Sequence, residues 1–200
     1  LWTTWYENQN KEHEGSFENG KEQGKWFQWY ENGQMKTEGN FNTGEMHGIW
    51  KAWFESGASQ YEISYKNGVN DGKWMYWFEE GGPSFDANYA DSVLHGKYTT
   101  WGENGKILIT GFYDEGEKDG EWTYFNNKGI KLRQESYKKG RADGLWISWY
   151  DFGSLKNEIS YKDGLKHGNV VYYRPEGEKY FEASYKNNKL VKIKVDTREK

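Results

Sequence analysis

The side chains that could do chemistry in this chain recur at fixed intervals. His47, His95 and His167 lie whole multiples of 24 residues apart, and three imidazoles brought together would make a metal site. Each, however, stands just before a glycine, where other stretches carry Asp71, Asp119 and Asp143. A turn position that accepts either side chain explains them. Glu31 and Glu38 could flank a glycosidic bond as acid and base. Such a pair needs one singular environment to separate its two pKa values, and here the pair recurs along the chain, which reads as a solvated face. No nucleophile elbow, phosphate loop or zinc signature interrupts the pattern. No catalytic residue, cofactor or metal is expected. The remaining candidates are tryptophans. Trp53, Trp77, Trp101 and Trp149 are the candidate partner-binding residues, because one such ring desolvates much area at little entropic cost.

These rings must be held by a repeating element. Gly24, Gly48, Gly72, Gly96, Gly120, Gly144 and Gly168 recur every 24 residues without a slip. Each is taken as the zero of its copy, and positions are counted onward as steps. A second glycine column runs from Gly33 to Gly177 at step nine. All 12 tryptophans fall at step two or step five, and an aromatic occupies step seventeen from Phe17 to Tyr185. Leu, Ile, Val and Phe together fall below a fifth of the chain, a composition that flags disorder. The formal charge of only −4, with 12 Trp and 16 Tyr, overrules that flag, since each large aromatic buries roughly 150–250 Å². The chain contains no cysteine, which excludes disulfides and thiolate metal sites.

Asn32-Gly33 and Asn104-Gly105 are strong hairpin signals, pointing to a type I′ turn with positive φ at both central residues. Each copy is therefore two strands of about six residues, followed by a longer glycine turn to the next copy. The fold expected is all-β: an elongated, single-layer antiparallel meander of about eight tandem β-hairpin repeats. The repeats span 1–189, and 190–200 form a C-terminal capping strand and tail, from the alternation in Leu190-Val191-Lys192-Ile193-Lys194-Val195. Pairing across Asn-Gly sets step six against eleven, four against thirteen and two against fifteen. Steps two, four, six, eleven, thirteen, fifteen and seventeen then share the more apolar face. Step fifteen is glycine opposite Trp2, Trp26 and Tyr98, which lets a ring lie across bare backbone. The step-five aromatics, Trp5 to Tyr173, occupy the opposite, polar face among Glu38, Glu62, Glu158 and Glu182. The middle copies break symmetry at Gly81-Gly82-Pro83, Ser92, Gly102 and Lys128.

The blocks Trp50–Gly57 (with Ser56 for Asn) and Tyr65–Gly72 resemble the bacterial variant of the MORN repeat. That resemblance covers almost the whole chain. It implies a hairpin array used as a scaffold or binding surface, with no family-wide catalytic residue, and some bacterial relatives carry an antitoxin label. A non-enzymatic scaffold mediating protein–protein interaction is the function expected. The alternative is glycan or cell-wall binding through an aromatic ladder, since stacked rings on a polar face also suit sugars. A near-balanced, slightly acidic chain argues against nucleic acid, and disfavours the membrane-lipid partner that eukaryotic relatives suggest. Leu1 already lies inside a repeat, which places the natural N-terminus upstream and leaves the compartment, cytoplasmic or envelope, open.

Overall fold

The computed structural model describes residues 1–197, so the end of the expected tail, 198–200, lies outside the described residues. Among the described residues there is no helix. The chain divides into two compact units, Leu1–Gly96 and Lys97–Lys200. The first contains β1 (Trp2–Trp5), β2 (Lys11–Glu18), β3 (Lys21–Trp29), β4 (Met35–Asn42), β5 (Glu45–Trp53), β6 (Ser59–Lys66), β7 (Val69–Trp77) and β8 (Pro83–Ala90). β9 (Val93–Trp101) holds the last residues of that unit and the first of the next. The second unit continues with β10 (Ile107–Asp114), β11 (Glu117–Phe125), β12 (Lys131–Lys138), β13 (Arg141–Ala142) and β14 (Gly144–Trp149). It ends with β15 (Leu155–Lys162), β16 (Leu165–Tyr173), β17 (Lys179–Lys186) and β18 (Lys189–Asp196). Within each unit, chain neighbours pair antiparallel, from β1 with β2 through β17 with β18, except that β13 and β14 both pair with β12. The fold is an all-β hairpin meander.

The two turns of each copy are the reverse of the expectation. At steps six to ten the Tyr30–Gln34 turn closes with Gly33 N–H donating to Tyr30 C=O at 2.9 Å and Tyr30 N–H donating to Gln34 C=O at 2.8 Å. Only Gly33 there has left-handed backbone, φ 87°. That is a type I turn closed by a left-handed glycine bulge, not a type I′ turn. The bulge pairs Trp29 with Met35, so step five, not step six, faces step eleven. The type I′ turns are at steps nineteen and twenty: Asn19 and Gly20 have φ 51° and 77°, and Glu18 pairs directly with Lys21. Asn carries both turns, but only one has a second left-handed residue, and the dipeptide alone does not tell them apart.

Above the bulge the expected register holds. Gln28 pairs with Thr37 and Trp26 with Gly39, while Gly24 faces Phe41. The step-two and step-seventeen rings therefore share a face and interlock. Phe17–Trp26, Trp26–Phe41 and Phe41–Trp50 stand edge to face with centroids 5.1, 5.7 and 5.0 Å apart. The second unit repeats this at Tyr113–Trp122, 4.8 Å, and Trp146–Tyr161, 4.9 Å. Offset and edge contacts of this kind are the favoured aromatic geometries. The glycine at step fifteen is covered, but by the ring of the following copy. A Cβ on Gly39 would lie 2.1 Å from the Trp50 indole, and one on Gly111 2.2 Å from Trp122. Because the next strand bulges opposite that glycine, its tryptophan swings onto the bare backbone. The indole N–H then donates to a backbone carbonyl of the earlier copy, Trp50 to Asn40 at 3.2 Å and Trp122 to Phe112 at 3.1 Å.

Candidate functional site

Alternation along β3, β5, β7 and β14 turns the step-five rings away from this aromatic zipper. Trp50 and Trp122 of the zipper are buried and Trp26, Trp74 and Trp146 half-buried, while Trp29, Trp53, Trp77, Trp101 and Trp149 are all half-buried. The polar face is fixed from below by the turns. The step-six hydroxyl of one copy donates to the step-five carbonyl of the next: Tyr6 to Trp29, Tyr30 to Trp53 and Tyr150 to Tyr173, at 2.8, 2.8 and 2.9 Å. Burial, then nearby Glu55, pushes the Tyr30 pKa up, as expected for a hydroxyl kept protonated. The step-eight asparagine adds two bonds. Asn32 Oδ1 accepts from Gln34 N–H in its own turn at 2.9 Å, and its Nδ2 donates to Glu55 C=O of the next at 3.2 Å. The Glu-Asn-Gly block is thus a turn and a stitch.

The rings differ in what lies on them. Lys11, at step eleven, places its ammonium 5.4 Å from the Trp29 ring and bonds Glu14. Lys131 does the same at 5.3 Å from Trp149 and donates to Gln134 Oε1 at 2.9 Å. Tyr173 donates to Glu158 at 2.8 Å, and burial followed by that bond pushes its pKa up to about 12. Trp53, Trp77 and Trp101 have neither a cation nor a second ring against them among the described residues. So the four candidate rings fall into two kinds and two places. Trp53 and Trp77 are uncovered in the first unit; in the second Trp101 is uncovered, Trp149 is covered, and Phe125 lies between them in the column. In the first unit, a cleft of about 340 Å³ is lined by Lys25, Phe27, Glu38, Asn40, His47 and Ile49.

The other chemically suggestive residues are turn fittings. His47 Nδ1 and Asn67 Oδ1 lie 3.2 Å apart, and His167 and Asn187 repeat the contact at 3.1 Å. Asp119 and Asp143 occupy the same step and accept from Lys139 and Asp163 N–H, both at 3.1 Å. Among the described residues, no three metal-capable side chains come together.

One polar cluster was missed by sequence reasoning. Glu135, at step fifteen on the zipper face, is 4% exposed. Arg133 Nη1 lies 3.2 Å from its carboxylate, and the Tyr137 hydroxyl donates to it at 2.9 Å. Lys118 extends over the Trp122 ring at 4.4 Å and donates to the Tyr124 hydroxyl at 2.6 Å. Burial first, then Glu135, pushes Tyr124 up to about 12 and Tyr137 higher still. The buried Glu135 carboxylate is thus answered on both oxygens, by Arg133 and by Tyr137, which makes the cluster a structural network. The available signal was positional: a glutamate at a step held by Gly39, Ile63, Ala87 and Gly111 elsewhere.

Against known proteins, residues 22–43, 46–67, 94–115 and 142–163 match the family model described as MORN repeat variant. Each matched segment ends on a residue with left-handed backbone, Thr43, Asn67, Glu115 or Asp163, so each spans one hairpin up to the type I′ turn. No curated protein matches the chain. Over four of its copies, together less than half of its length, the chain is similar to the MORN repeat variant family, as a repeat-built scaffold.

Proposed function

We propose that this chain is a non-enzymatic scaffold that binds another protein through the polar face of its sheet. The observation that supports the reading is that Trp53, Trp77 and Trp101, three large half-buried rings, have neither a cation nor a second ring against them among the described residues. An indole held half-buried by its backbone has little freedom left to lose on binding, which is why such rings dominate interface energetics. The carboxylates and lysines around them keep the face soluble and select among partners. Trp149, already under Lys131, contributes less than the other three. The test is to replace Trp53, Trp77 and Trp101 with serine, confirm the fold by circular dichroism, and measure affinity for a protein captured by the intact chain. A loss of roughly 2 kcal/mol or more for at least one ring is expected. Unchanged affinity in all three variants removes the reading, and capture of polysaccharide without protein replaces it by the glycan alternative.

A further inference from the structure

The polar face contains its own demonstration of what its rings hold. Wherever step eleven is lysine and the following copy has tryptophan at step five, the ammonium lies against the indole: Lys11 on Trp29 and Lys131 on Trp149. Both lysines are also held by the step-fourteen side chain, Glu14 or Gln134. For Trp53 and Trp77 the step-eleven residues are Met35 and Ser59, so the same corner has no internal cation.

The acids nevertheless remain, Glu38 without a bonded partner among the described residues and Glu62 shared with Lys51. Glu38 pairs across from Lys51 and Glu62 across from Met75, each two residues from a ring on the same face. The nearest lysines are engaged elsewhere, Lys36 over Tyr30 at 5.5 Å and Lys51 with Glu62 at 3.7 Å. Glu38 has no bonded partner among the described residues and opens onto the cleft beside it.

We propose that Trp53 and Trp77 are seats for cationic side chains of a partner protein, with Glu38 as the counter-charge at the first and Glu62, which a half-exposed Lys51 shares at 3.7 Å, at the second. The two rings are one copy apart, about 9–10 Å, or two strand spacings. A polyproline-II segment returns to the same side every third residue and advances about 9.3 Å in doing so. The occupant is therefore an extended basic segment with lysine or arginine at every third position. The chain's net charge of −4 draws such a segment in. This inference rests on the polar face being the docking face, and it adds the chemistry of the partner.

The probe is a Lys-Pro-Pro-Lys-Pro-Pro-Lys peptide and its twin with acetylated lysines, titrated onto the full chain with tryptophan fluorescence as readout. Binding of the first, and an affinity about ten-fold lower for the second, is expected if each seat contributes about three- to five-fold. Trp53→Leu with Trp77→Leu, which leaves the charge unchanged, lowers affinity by the same factor. The sharper variant is Met35→Lys with Ser59→Lys, which installs the lysine that the Trp29 and Trp149 corners already have. Self-filled seats then exclude the peptide, whereas a charge-matched control with Gln34→Lys and Ser56→Lys, in exposed turns, retains it. Equal binding by the acetylated twin, or undiminished binding by the Met35→Lys/Ser59→Lys chain, overturns the proposal. With a captured protein in place of the peptide, loss on changing the rings but not on filling the seats leaves the docking face standing and removes the cation seat. No loss in either removes both.

Discussion

At the scale of single residues, position within the copy decides what a side chain is for. Trp122 is 1% exposed and locked by the rings of Tyr98 and Tyr113, 5.5 and 4.8 Å away. Trp122→Ala should cost about 3–5 kcal/mol in a denaturant titration, the range for a buried large aromatic, and Trp53→Ala distinctly less. Glu135→Ile tests the buried network, since Ile63 and Ile159 occupy that step in other copies. Removing one partner of a buried pair leaves the other charge and the Tyr137 hydroxyl without their acceptor, at a cost of up to about 3–5 kcal/mol that the half-exposed Arg133 side chain softens, so the variant should melt below the parent. The same network sets an alkaline limit. Tyr124 rises from 10.0 to about 12 on folding, so its contribution is complete below pH 10.0 and is lost as pH climbs through about 12. Tyrosinate absorbance followed against pH should show a late-titrating class that moves to lower pH in Glu135→Ile. The rings of the candidate site were readable from the sequence because tryptophan at a fixed step is conspicuous. Glu135 was not, because glutamate is common in this chain and only its face makes it unusual. The lysines over Trp29 and Trp149 were equally hidden, since each reaches across from the preceding copy.

At the scale of the hairpin, alternation and periodicity carried the strand positions, the two faces and the pairing of Trp26 with Gly39. They failed at the turn. Asn-Gly suits both a type I′ turn and a type I turn with a glycine bulge, and the choice depends on whether the residue before glycine is left-handed. Strand ends differ by one residue between the two, which moved step five opposite step eleven. The first copy offers a test, because Gln9 holds the glycine place at φ 71°. A non-glycine residue in that region costs roughly 1–2 kcal/mol, so Gln9→Gly should stabilise the chain by about 1 kcal/mol and Gly33→Ala should destabilise it comparably. Asn32→Ala removes two hydrogen bonds, each worth roughly 0.5–1.5 kcal/mol, and should cost more than Ser56→Ala in the next turn. Thermal melts of these single variants would separate turn strain from stitch.

At the scale of the whole molecule, bonds run between neighbours in sequence, and stability is a sum of copy and nearest-neighbour terms. Hydrogen exchange should therefore grade along each unit. The amides of β1, where Trp2 and Trp5 are 41% and 57% exposed, should exchange fastest, and those beside Trp50 and Trp122 slowest. Uniform protection from β1 to β8 would contradict a nearest-neighbour fold. The stitches of the Glu-Asn-Gly turns point one way, opposite to the indole bonds of the zipper. The donors at Tyr6, Tyr30, Asn8 and Asn32 belong to the earlier copy, and the acceptors at Trp29, Trp53, Glu31 and Glu55 to the later one. The array thus has a grammar, in which a copy with tyrosine at step six or asparagine at step eight ends on a donor that an in-phase successor answers. A change in length of 24 residues keeps these donors in phase with their acceptors, whereas a change of 23 or 25 puts those at the junction out of phase. Whole copies are therefore the unit in which this fold can be lengthened or shortened with its stitches intact, and each one added or removed changes the number of rings offered on the polar face.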